Sequence, residues 1–155
     1  MPVHLYRYGT PRQLGEGVRI GVARHAPVGV RREDRARQGW FDSWLPLLAP
    51  PDALAADYAE RRISAAVFRR GYRAAMEHSA PCRQVIRLLA AFSRTAPVSL
   101  GCFCRDEESC HRSILRELVL KNLPPGPHPP EPDAGTVERY ASPVCLSAWF
   151  ENGLL

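Results

Sequence analysis

Val98-Ser99-Leu100-Gly101-Cys102-Phe103-Cys104-Arg105-Asp106-Glu107-Glu108-Ser109-Cys110-His111-Arg112 is the stretch on which the fold turns. Its first seven residues, Val98 to Cys104, follow Pro97, are short and compact, and run into charge, as suits a central, buried strand. The acidic run Asp106-Glu107-Glu108 then reads as a loop. After Ser109, Ile114, Leu115, Leu118 and Val119 recur at helical spacing, so a helix follows.

Two earlier segments also read as strands. His4 to Tyr8 alternates in polarity, and Val18 to Ala23 places β-branched residues at period two. Between the second and third strands the pattern turns helical. Pro51 suits a first helical turn before Leu54, Ala55 and Tyr58. Ser64 caps a helix with Val67, Phe68, Tyr72, Ala75 and Met76 on one face. Ser79 and Pro81 open another, with Val85, Leu88, Leu89 and Phe92 forming its apolar stripe. Trp40, Phe41 and Trp44, beside Pro46, read as residues that pack a helix onto the domain. Strands separated by such helical stretches need crossover connections. The expected fold is therefore α/β, with a mainly parallel central sheet and helices on both faces.

The α/β domain spans residues 1–123. Six prolines between Pro124 and Pro132 forbid helix and mark 124–135 as an extended connector. Residues 136–155, which include Ala148-Trp149-Phe150, carry enough apolar content to dock on the domain.

Composition narrows the class. No run approaches the roughly 18 unbroken apolar residues of a membrane span. The N-terminus lacks the basic region and long apolar run of a signal peptide. Five cysteines do not pair evenly, and three of them crowd into Cys102–Cys110. Reduced thiols in the cytoplasm fit that pattern better than a secreted disulfide framework. The formal net charge of +5 is almost wholly arginine, since Lys121 is the only lysine. Codon bias alone would produce this; an anionic partner is the functional alternative, because guanidinium matches phosphate and carboxylate geometry. Nucleic acid stays open as a partner, although no strand combines aromatic and basic residues in the usual pattern.

In parallel sheets ligands gather beyond the carboxyl ends of the strands, which points to the loops after Ala23 and after Cys104. At the second of these, a thiol in the first turn of a helix would be acidified by the helix dipole. Cys110 and His111 are thus candidate catalytic residues. Arg112, with the free N–H groups of that turn, is a candidate anion-binding group, joined by Arg24 and His25 from the first loop. The expected ligand is a small anion: phosphate, sulfate or a nucleotide. The plainer alternative makes Cys110 a core filler and His111 a hydrogen-bonded core histidine. A metal site of Cys102, Cys104, Cys110 and His111 has the right donors for zinc. Its spacing tells against it, because neighbouring residues on a helix diverge by about 100°. No cofactor is called for, and the oligomeric state is not written in the sequence.

Taken together, Arg19-Ile20-Gly21-Val22-Ala23-Arg24 leading to Pro27 and Gly29, Trp44 with Leu48-Ala49-Pro50, Phe68 with Tyr72, and the Cys-His-Arg helix opening resemble the domain of unknown function 488 family, especially its YeaO-like branch. The resemblance covers about residues 3–121. It implies a compact α/β fold and no established reaction. Where the family pattern has an Asp, a Trp and often a second Arg around the loop, this chain has Ala23, Ala26 and Val28. The Cys-His-Arg element is intact.

Overall fold

The strand Val98–Cys102 (β4) is buried along its whole length and lies between two neighbours. A computed structural model describes residues 3–126. In it, Val3–Arg7 (β1) pairs with β4 from Val3↔Val98 to Arg7↔Cys102, and Val18–Gly21 (β2) pairs with its other edge from Val18↔Val98 to Gly21↔Gly101. Ser43–Trp44 (β3) adds a two-residue edge to β2, giving the order β1-β4-β2-β3. Every pairing is parallel, so all the carboxyl ends open on one rim. The edge strand β3 escaped the sequence reading because two residues show no period.

Strand alternation sorts the two faces. Val3, Val18, Ile20, Val22, Val98 and Leu100 turn towards the main apolar core. That core is completed by the helices Asp52–Ala59 (α1), Ala65–His78 (α2), Ala80–Phe92 (α3) and His111–Lys121 (α4). Helix α4 lies on β1 and β4; α2 and α3 pack on α4, and α1 on α2. Ser64 and Ser79 cap α2 and α3 through their side chains, accepting from the Val67 and Cys82 amides. On α3 the buried stripe is Cys82, Ile86, Leu89 and Ala90. Leu88 and Phe92, expected in that stripe, are instead exposed. Several registers of an apolar-rich helix give a plausible stripe, and packing against α2 and α4 selects one.

The opposite face is covered by the loops around residues 8–17 and 31–42, with the short 3-10 turn Arg32–Asp34. Small residues make this closure feasible. A methyl on Gly101 would strike the Tyr6 ring, and one on Gly21 would strike Tyr8 and Phe41. Arg19, fully buried on this face, donates to the carbonyls of Thr10, Pro11 and Gly39 and pairs with Glu16. Its guanidinium also lies 4.4 Å from the centre of the Tyr6 ring. A strand arginine thus clamps two loops that have no ladder of their own to hold them.

The connector at 124–135 falls largely outside the described residues, and the segment at 136–155 wholly so, together with Cys145. No helix among the described residues is long and apolar enough to cross a membrane.

Candidate functional site

The rim where β4 ends and α4 begins gathers most of the chemistry-bearing residues. Cys110 is the residue before the helix, with an extended backbone at φ −95° and ψ 145°. His111, not Cys110, opens the helix. The divergence of about 100° expected of two neighbouring helical residues therefore does not arise. The ligand atoms of Cys102, Cys110 and His111 all lie within 4.8 Å of one another, and all three residues are buried. Cys104 joins from the strand end, its sulfur 3.7 Å from that of Cys102, while remaining exposed.

His111 is held from two sides. Its Nε2 stands 3.0 Å from the Val22 carbonyl. A carbonyl only accepts, so Nε2 carries the proton and Nδ1 presents its lone pair. Nδ1 faces the Cys110 sulfur at 3.7 Å. The Tyr72 ring meets the imidazole edge-on at 5.5 Å, and the Tyr72 hydroxyl donates to the Leu48 carbonyl at 2.7 Å. Burial pushes the His111 pKa down, so the ring is neutral.

The three sulfurs share their ionisation. Hydrogen bonds from Cys104 and then Cys110 hold the Cys102 thiol well below the ordinary thiol range. The same contact with Cys102 pushes Cys110 up, and burial adds to the effect. Cys104 is also raised by its bond to Cys102. A helix-activated thiolate was expected at Cys110; the surroundings instead raise Cys110 and lower Cys102, the sulfur that two neighbouring S–H groups can solvate.

Arg112 is fully buried. It donates to the Tyr6 carbonyl, to Cys104 O at 3.2 Å and more weakly to Cys102 O at 3.5 Å. Glu107, more than half exposed, lies 3.8 Å away. Arg24 is committed elsewhere, to the Pro50 carbonyl at 2.6 Å and to Asp52 at 2.8 Å. The structure gives the two arginines separate protein partners, and His25 is exposed in its loop. It brings Cys102, Cys104, Cys110 and His111 together.

Two groups at this site were not legible in the sequence. The Val22 carbonyl belongs to the backbone, which carries no sequence signal. Tyr72 was visible as a core residue of a helical stripe, but nothing local shows that its ring meets His111. Phe41 and Trp44, with Tyr6 and Tyr8, pack into the same cluster as Cys102 and Cys110, and the Trp44 indole donates to the Ala23 carbonyl at 2.8 Å. They brace the rim rather than attach a helix.

Fold and rim together define an α/β protein with an all-parallel sheet and a buried Cys/His cluster at its carboxyl edge. The chain belongs to the DUF488-N3a family, described as the active DUF488-N3 subclade, whose family model matches residues 3–123. No curated protein and no solved structure matches the chain.

Proposed function

We propose that this chain is a metal-binding protein in which Cys102, Cys104, Cys110 and His111 hold one zinc ion. The observation that carries the reading is the convergence of the Cys102, Cys110 and His111 donor atoms within 4.8 Å. The Cys102–Cys104 and Cys110–His111 separations, each 3.7 Å, suit a tetrahedral ion. Bonds of about 2.3 Å to sulfur place two thiolates about 3.8 Å apart, and the Cys102–Cys104 separation is 3.7 Å. The His111 lone pair is turned inwards by the Val22 carbonyl, the outer partner that a metal-bound histidine ordinarily has. Soft thiolates with imidazole favour zinc among divalent ions, and the four free thiols of the described residues suit a reducing compartment such as the cytoplasm.

A cysteine-dependent enzyme acting on a small anion is the second reading. The exposed Cys104 thiol beside the acidic Cys102 favours it, as does the family's description as active. Elemental analysis of protein purified without added metal separates the two. About one zinc per chain, lost in Cys102→Ser and in His111→Ala, supports the metal centre. Metal-free protein in which Cys104 or Cys102 alkylates faster than Cys82 supports the thiol enzyme.

A further inference from the structure

Away from the cysteines, a cavity of about 500 Å³ opens beside the edge strand β3, lined by Arg32, Arg35, Phe41, Asp42, Ser43 and Trp44. Its volume lies within the range of small-molecule sites. Its charge is unbalanced. Asp42 is already engaged by the Arg12 guanidinium at 2.8 Å and by the Arg19 amide at 2.8 Å. Neighbouring Arg31 and Arg37 both pair with Asp34, and Arg31 also lies 3.6 Å from Glu33. Arg32 and Arg35 have no carboxylate partner among the described residues. The Arg35 Nε is moreover buried without a hydrogen-bond acceptor.

The cavity also has a flat wall. Phe41 and Trp44 lie nearly parallel, 22° apart with centroids at 6.3 Å. The Arg35 guanidinium sits over both, 5.8 Å from one ring and 5.9 Å from the other. A guanidinium held against aromatic faces is oriented in advance and loses little freedom on meeting an oxyanion. The same plane offers a stacking surface for a flat ring. Unbalanced cations call for an anion; the aromatic wall and the volume call for more than a bare oxyanion.

We propose that this cavity binds a phosphorylated ligand carrying a planar ring, of the nucleoside monophosphate class. The phosphate lies between Arg32 and Arg35, and the base lies against Trp44. Phe41 and Trp44 pack in the same cluster as Cys102 and Cys110, so the bound ring would stand on the far side of the wall from the Cys/His site. The proposal goes beyond the metal reading and does not depend on it.

Calorimetric titration of the full chain with adenosine monophosphate, adenosine and inorganic phosphate tests it. Adenosine monophosphate should bind one per chain, more tightly than either fragment. Arg35→Ala should weaken it by about tenfold or more, the loss expected of a charged hydrogen bond. Arg116→Ala, on the exposed side of α4, should leave it unchanged, and Trp44→Phe should abolish the accompanying change in tryptophan fluorescence. Zinc content and circular dichroism of Arg35→Ala should match those of the wild type, separating a lost ligand from a lost fold or metal. No binding by the wild type at concentrations up to about 10 mM would overturn the proposal. So would an unchanged affinity in Arg35→Ala, or inorganic phosphate binding as tightly as the nucleotide.

Discussion

Replacing Arg112 by Ala should cost the domain about 3–5 kcal/mol, comparable to breaking a buried ionic network. Arg112 is fully buried, and its forked head ties the carbonyl ends of β1 and β4 to the first turn of α4. Two of its bonds are close, to Tyr6 O and Cys104 O; the third, to Cys102 O at 3.5 Å, is weak. A hydrogen bond from a charged donor contributes about 1.5–3 kcal/mol, so two amount to roughly 3–6 kcal/mol. Truncation relieves the desolvation of the guanidinium, including an Nε without a partner, which offsets part of this. It also opens a void where the side chain lay, adding to the loss. Urea denaturation at pH 7 would measure the change. Arg112→Met, which refills the volume without donors, should recover about 1–2 kcal/mol of it. Arg112→Lys should fall between them, since an ammonium cannot bridge the two carbonyls as a planar fork does. Phosphate should not stabilise the wild type more than Arg112→Ala. A loss below about 1 kcal/mol in the alanine variant, or a phosphate effect that vanishes with Arg112, would refute the reasoning and return Arg112 to the anion-binding role.

Gly101→Ala should destabilise by about 2 kcal/mol or more in thermal or urea melts, because the added methyl meets a Tyr6 ring whose hydroxyl is fixed on Trp40 O at 2.6 Å. Burial works to raise the Glu117 pKa, but the hydrogen bonds from Arg69 and Arg73 prevail and hold it below its ordinary 4.5. Its contribution, below about 1 kcal/mol for so exposed a network, is present above pH 4.5 and is lost as the pH falls through the lowered value. Denaturation midpoints of wild type and Glu117→Gln should therefore differ at pH 7 and converge as the pH falls through the lowered value. On the proposed metal reading, a chelator should lower the melting temperature of the wild type and leave that of His111→Ala unmoved, as binding to the native state alone requires.

The element plan was readable because it rests on local chemistry. Ser64 and Ser79 are side-chain caps whose amide partners lie three residues on, and both helices begin where those serines place them. Pro97 with the apolar run after it marked β4, and the crossovers before it required a parallel sheet with that strand inside. The Cys110-His111-Arg112 cluster was legible as a concentration of reactive residues, but its wiring was not. One residue of uncertainty in the start of α4 decides whether Cys110 is helical, and with it whether its sulfur can converge with His111.

The sequence by itself determined the class of the fold and the central place of Val98–Cys102, because periodicity, capping and chain crossing are properties of neighbouring residues. Only the tertiary structure decided what each charged or polar group does. In sequence Arg19, on a strand, is one arginine among many, and Arg112 reads as an anion-binding group at a helix opening. They become internal clamps because the loops and strand ends around them turn carbonyls towards their guanidinium groups. His111 acquires its tautomer from Val22, 89 residues away in the chain, and its ring orientation from Tyr72. Partners so distant in sequence leave no periodic trace, and the energy of a buried polar group depends on those partners.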